Sequence, residues 1–358
     1  MANQLGSDLY ENFLHTLSHK PPSKVPVALW YTRSVFGLLG GARNLQDYYT
    51  NSEIKLTTQL YPLDRFPEAL IFPGIYPDYG VALEASAFGC PIKFFDNSPP
   101  QPFPLLKDIK DVGKLKKVNP SQDGLMPQAL KEFAYMLAHI GKQYVKRLPY
   151  LDGCGFVMGP LEVAAFILGR ERLFTSFYDQ PDLVHKLLTI ITDGIITWLK
   201  TVEKVSGELK LISLIEHTPG QISSVHCEEF FFPYCSEILR NFPKAIKLYH
   251  NEDNISHIMK DLPKIGAQIW HFGPWEIRGI KEAVGQDLVL MGNLHPVSLL
   301  LEGTPEAVEE NCRLCISIAA PGSGYILSSG GGLAPGTPIS NIEAMIRSPT
   351  LYTAPNAS

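Results

Sequence analysis

A closed (β/α)8 barrel of the α/β class, the TIM-barrel fold, is what this sequence predicts, and three observations carry it. About eight short β-rich apolar runs recur along the chain, the strand count of that barrel. Helical patterns lie between the later runs, and such alternation implies βαβ units and a parallel sheet. The runs are apolar almost throughout, as strands covered on both faces are, and no GxGxxG follows the first of them as an open dinucleotide-binding sheet would need.

A helical pattern over residues 9–17 forms an N-terminal extension ahead of the first run, 25–31, and the second run spans 69–72. The stretch 80–148 is long, so strand 2 is expected to be followed by an inserted hairpin around 81–95 and extra helices. Within it, Asn97-Ser98-Pro99-Pro100-Gln101-Pro102 reads as a loop and not a domain linker, because strand signals of the same barrel lie on both sides. The remaining runs fall at 156–158, 211–215, 245–249, 268–272, 288–291 and 325–328. Helical patterns accompany them at 183–205, 227–241, 255–262, 276–284 and 305–318. A single barrel domain over 1–358, without an internal repeat, is expected.

With 358 residues, 45% hydrophobic and 19% charged, the chain can bury a substantial core. Lys plus Arg number 31 against 36 Asp plus Glu, and the net charge of -5 gives no electrostatic reason to expect nucleic acid or an anionic membrane as partner. The first eight residues hold no basic segment followed by an apolar one, and no later apolar run reaches bilayer-spanning length, so a soluble cytoplasmic protein is expected. Six cysteines are too sparse for a disulfide scaffold in a chain this long, which points to a reducing compartment. Cys312 and Cys315 form a CxxC inside a helical pattern, where helix packing is the expectation.

The run from Ala245 to Glu252 reads as a buried strand that stops on a histidine and a carboxylate, side chains suited to hold a metal or move a proton. Positions two apart on a strand face the same way, so His250 and Glu252 converge if extended geometry persists past Tyr249. In a barrel, chemistry sits at the C-terminal strand ends, where the βα loops open. Those ends carry Trp30, Tyr31 and Arg33; Pro73, Tyr76 and Asp78; Gly159, Pro160 and Glu162; Glu216 and His217; His271; and Asn293 and His295. Acid, histidine and amide groups from different strands are expected to meet in one mouth. The glycines Gly330, Gly331 and Gly332 allow backbone to approach a ligand or partner closely, or make a tight turn before the final helix.

Gly292-Asn293-Leu294-His295-Pro296 with Leu299-Leu300 and Gly303-Thr304-Pro305-Glu306-Ala307-Val308 resembles the GNLDP...LL..GTPEEV stretch of the uroporphyrinogen decarboxylase superfamily. Residues 324–332 with Pro335, Thr337-Pro338, Asn341-Ile342 and Ala344-Met345 extend the similarity, as do Gly159-Pro160 before a helix and the Tyr249-His250 strand end. The resemblance covers nearly the whole chain and itself implies the (β/α)8 barrel. It includes two chemistries. The decarboxylases bind a tetrapyrrole rich in carboxylates; their PVWFMRQAGR pattern is here residues 26–37, which keep Arg33 and lose the second arginine, and their aspartate-bearing strand end reads Ile71-Phe72-Pro73-Gly74. The other branch comprises corrinoid-dependent methyltransferases, whose zinc is held by an HxC and a distant cysteine. Here those positions read His250-Asn251-Glu252 and Gly330-Gly331-Gly332, without either cysteine.

What the resemblance then implies is a harder site of nitrogen and oxygen ligands, a stronger Lewis acid than a thiolate-rich one, suited to activating an ether oxygen. His250 and Glu252, with Glu216 and Glu229, are the expected zinc ligands. His271, His295 and Asn293 are expected to bond the substrate or act in catalysis, and Trp30, Tyr31, Phe72, Tyr76 and Trp275 to line an aromatic pocket. Arg33 and the three glycines are expected at the corrinoid. The implied reaction is methyl transfer from an aryl methyl ether or similar small donor to a corrinoid protein, in a chain expected to form a homodimer. The alternatives are decarboxylation of a smaller acid held by Arg33, and a tetrapyrrole- or corrinoid-binding barrel without turnover.

Overall fold

The computed structural model describes residues 2–30 and 44–351. A six-stranded parallel sheet runs in the order β10-β9-β8-β7-β6-β5, built from β5 (Cys154–Met158), β6 (Leu211–Ile215), β7 (Ile246–Asn251), β8 (Ile269–Phe272), β9 (Val289–Leu294) and β10 (Tyr325–Ser329). β1 (Ala28–Trp30) pairs in parallel with β2 (Leu70–Phe72). A parallel bridge from Val27 to Leu327 joins that pair to β10, and the Leu327 N–H donates to Pro26 O at 2.9 Å. Six and two strands thus follow one another as the eight of a TIM barrel.

Among the described residues no ladder joins β2 to β5, and side chains hold that seam. The Tyr150 hydroxyl donates to Ile71 O at 3.0 Å and accepts from Ile71 N–H at 3.2 Å. The Met158 N–H donates to a carboxylate oxygen of Glu84 at 3.2 Å.

Alternation along the strands sets what fills the barrel. On β5, Gly155 lies against Leu199 and Leu209 of the outer layer, so Cys154, Phe156 and Met158 face inward. Register carries that orientation round the wall: Met158, Ile215, His250, His271 and Met291 form one interior layer, with Phe156, Ser213, Leu248 and Ile269 in the layer beneath. The outer helices form for local reasons. Pro181–Ser206 begins on a proline, buries Val184, Leu187, Leu188, Ile191, Ile195, Leu199 and Val202 along one stripe, and ends at a left-handed Gly207. Pro305–Ala319 starts on the Thr304 side chain, which accepts from Ala307 N–H at 3.3 Å.

Three expected elements come out differently. Residues expected in the first arm of the hairpin form a helix, Leu83–Ala87; the hairpin is β3 (Ile92–Lys93) with β4 (Gln101–Pro102), and the 97–102 loop becomes its turn and second arm. The 227–241 pattern splits into Ser224–Phe230 and Phe232–Arg240, with Pro233 in the first turn of the second helix. Residues expected helical over 255–262 give a 3-10 helix at Met259–Ile265, where Pro263 removes a donor and blocks the α-helical ladder.

Helix Ser52–Arg65 and the insert together fix the loop after β2. Lys55, fully buried, pairs with Glu132, whose other oxygen accepts from the Tyr79 hydroxyl at 2.8 Å. Gln59 brackets Tyr76 by bonding both its N–H (3.1 Å) and its carbonyl (2.9 Å).

Candidate metal centre

Strand β7 stays extended through Asn251, so His250 and Glu252 do share a side. His250 Nε2 lies 3.2 Å from Glu252 Oε1. His217, at the end of the neighbouring β6, completes a cluster in which each residue offers one ligand atom within 4.8 Å of the others. Trp30 stacks on the His250 ring at 4.5 Å and 14°, and also touches His271.

Hydrogen bonds tie the two histidine rings to each other and to the loop after β10. His271 is fully buried, and desolvation, with the nearby His250, pushes its pKa down to about 3, leaving a neutral ring. Its Nε2 lies 3.0 Å from Ser329 O and 3.4 Å from Gly331 N. Its Nδ1 shares a hydrogen bond of 2.8 Å with His250 Nδ1. His250 Nε2 faces a Glu252 carboxylate oxygen, an arrangement that a shared proton or a metal ion satisfies. Burial tends to raise the Glu252 pKa, but the hydrogen bond with His250 and the imidazoles facing the carboxyl hold it at about 2, so the carboxylate is anionic. A 3.2 Å spacing suits zinc, because tetrahedral ligand atoms about 2.0–2.1 Å from the metal stand roughly 3.3 Å apart. A neutral imidazole oriented by a second hydrogen bond, beside an anionic carboxylate, is a donor set that zinc accepts.

The family model for uroporphyrinogen decarboxylase (URO-D) matches residues 9–350. The chain belongs to the uroporphyrinogen decarboxylase family. Among similar family members, the uroporphyrinogen decarboxylase of Vesicomyosocius okutanii is 23% identical over 94% of this chain and 96% of its own length. The methylcobamide:CoM methyltransferase MtbA of Methanosarcina acetivorans is 26% identical over 77% of this chain and 78% of its own. A solved methyltransferase from Methanosarcina mazei superposes with a TM-score of 0.78, covering 95% of this chain and 97% of that one at 19% identity, and so shares the fold.

Within this URO-D family chain the remaining expected residues separate. Glu216 is not brought to the cluster: its carboxyl turns outward and accepts from the first N–H groups of helix Pro160–Leu168, Leu161 at 2.8 Å and Glu162 at 3.3 Å. Glu229 lies on the outer surface, bonded to His185 at 3.2 Å. His271 is fully buried, with one ring nitrogen on His250 and the other beside Ser329 O and Gly331 N, so it orients His250. His295 is exposed and caps the helical turn after β9, accepting from Val297 and Ser298 N–H. Asn293 ties the mouth loops together by donating to Trp275 O at 2.5 Å. Phe72 is buried against Phe13 and Tyr150 and not at the cluster. Tyr31 and Arg33 lie outside the described residues.

Two of the three glycines, Gly331 and Gly332, are at the cluster, while Gly330 packs against Gly273 and Pro274. Gly332 N–H donates to Glu252 Oε1 at 3.3 Å. Gly331 has φ +104°, and a Cβ there would meet the Glu252 carboxyl at 2.4 Å. Glu252 therefore fills the space that a side chain at 331 would need.

Sequence reasoning passed over His217 as a ligand, although the two-residue rule that paired His250 with Glu252 selects it: Ile215 faces inward, so Glu216 faces out and His217 in. It also passed over Phe156, half-buried, facing the interior and stacked under Tyr76 at 4.8 Å.

Proposed function

We propose that this chain is a methyltransferase that moves a methyl group from an aryl methyl ether, or a similar small donor, to a reduced corrinoid carried by a partner protein. The observation that carries the reading is the paired replacement at the cluster: Glu252 stands where the resembling thiol-activating enzymes have cysteine, and Gly331 vacates the space beside it. The relative named for methylcobamide supports a corrinoid as co-substrate.

His250, Glu252 and His217 would hold zinc, with His271 orienting His250 through the Nδ1 bond and Gly332 N–H bonding Glu252. Zinc in such nitrogen and oxygen coordination supplies Lewis acidity to a leaving oxygen. Trp30 backs the His250 ring, while Tyr76 and Phe156 offer an aromatic wall for a planar donor.

The test incubates the protein with a reduced corrinoid protein and a panel of methoxylated aromatics, and follows the absorbance of the methylated corrinoid. Methylation that depends on a methoxyarene supports the reading. Release of CO₂ from a porphyrinogen, with no methyl transfer, replaces it by decarboxylation.

A further inference from the structure

The cluster draws His250 and Glu252 from one strand, β7 and the residue that follows it, where Trp275 Nε1 also bonds Glu252 O at 2.9 Å. His217 has no such support from the sheet. The ladder joining β6 to β7 ends where Glu216 N–H donates to His250 O at 3.2 Å. His217 then turns to helical angles, φ -97° and ψ -21°, at the head of the short 3-10 helix Thr218–Gln221. Its ring nevertheless stands edge-on to the His250 ring, with 5.2 Å between centres.

Glu162 supplies the anchor that the ladder does not. Its buried side chain lies in the first turn of helix Pro160–Leu168, and Oε1 accepts from His217 N–H at 3.2 Å and from the Thr218 hydroxyl at 3.0 Å. The other oxygen accepts from Arg170 Nη2 at 3.0 Å, and Arg170 Nη1 donates onward to Gln221 Oε1 at 2.9 Å. The start and the end of the Thr218–Gln221 turn are thereby tied to one carboxylate and its cation. The exchange is reciprocal, since Glu216 accepts from Leu161 and Glu162 N–H and so fixes where the helix begins. Hydrogen bonds to an ionised carboxylate are shorter and stronger than neutral ones, and outer partners of this kind decide how well a ligand meets its metal.

We propose that Glu162 is the positioning residue for His217: it holds the loop after β6 so that this imidazole completes the metal centre, and Arg170 holds Glu162. This rests on the metal reading of the cluster. The bond goes to the His217 main chain, so Glu162 acts on where the ring stands. Without it the turn can rotate about Glu216 and carry His217 away from His250 and Glu252.

The experiment compares wild type, Glu162→Gln and Glu162→Met for zinc affinity in competition with a chelator, and for the visible spectrum with cobalt(II) in place of zinc. Gln keeps an oxygen for His217 N–H while the half-exposed Arg170 turns to water; Met keeps the bulk without an acceptor. The Met variant should bind zinc about 10–100-fold more weakly. Its cobalt spectrum should lose the strong visible band of a four-coordinate ion and match that of His217→Ala, which a merely structural role would not produce. The Gln variant should keep the band and stay within a few-fold of wild type. If the Met variant does not fold, Arg170→Gln takes its place, with a shift in the same direction expected. Wild-type affinity and spectrum in the Met variant, or in its replacement, overturn the role, and so does a Gln variant that loses as much as Met. Wild type that binds neither ion is a separate result: it overturns the metal reading, and this role falls with it.

Discussion

Replacing Glu84 by glutamine should change how stability depends on pH, and the size follows from its burial. The folded pKa is about 7 against an ordinary value of 4.5, with desolvation as the main cause. Between those values the folded state keeps a proton that the unfolded state releases, so the native protein is destabilised as pH rises from 4.5 to 7. A gap of two and a half units at about 1.4 kcal/mol per unit gives on the order of 3 kcal/mol, absent below pH 4.5 and fully developed above pH 7. Glutamine does not titrate. Urea unfolding followed by circular dichroism at several values between pH 5 and 8 should therefore show the variant gaining on wild type as pH rises, by about 3 kcal/mol at the plateau. Taking the difference cancels every other titrating group. A difference between the two proteins that stays constant across this range refutes the reasoning.

Other substitutions test the cluster and the frame that holds it. Gly331→Ala places a methyl group against the Glu252 carboxyl at a φ of +104°, so zinc content should fall and stability drop by about 1–3 kcal/mol, read by metal analysis and thermal unfolding. His271→Ala removes the group that orients His250 and should weaken zinc affinity by about 10–100-fold in competition with a chelator. His217→Ala should lower zinc content while Glu229→Gln leaves it unchanged; the opposite pattern would restore Glu229 as a ligand. Glu132→Gln strands the buried Lys55 cation and should cost about 3–5 kcal/mol in urea unfolding.

Strand runs such as 211–215 were legible because a buried parallel strand is apolar along its whole length and needs no partner to be recognised. The hairpin was misplaced because Ala82 to Ala87, rich in helix formers, also alternates in hydrophobicity, and the packing of helices Met126–His139 and Pro160–Leu168 decides between the two. At the cluster, His250 and Glu252 were legible from their spacing alone. Glu216 misled because a carboxylate draws the eye, whereas strand alternation sends it outward to a helix N-terminus and His217 inward. The space shared by Gly331 and Glu252, residues far apart in sequence, depends on the barrel bringing β7 and the loop after β10 together, and the placement of Glu84 on Met158 depends likewise on the open seam. Neither is encoded in any local pattern.

The central claim is that His217, His250 and Glu252 hold a zinc ion without sulfur. Metal analysis combined with zinc X-ray absorption, on protein purified without chelator, tests it most directly. The account predicts about one zinc per chain, lost in His250→Ala, with nitrogen and oxygen neighbours at about 2.0–2.1 Å. Metal-free protein with full methyl-transfer activity, or a sulfur shell at about 2.3 Å, contradicts it.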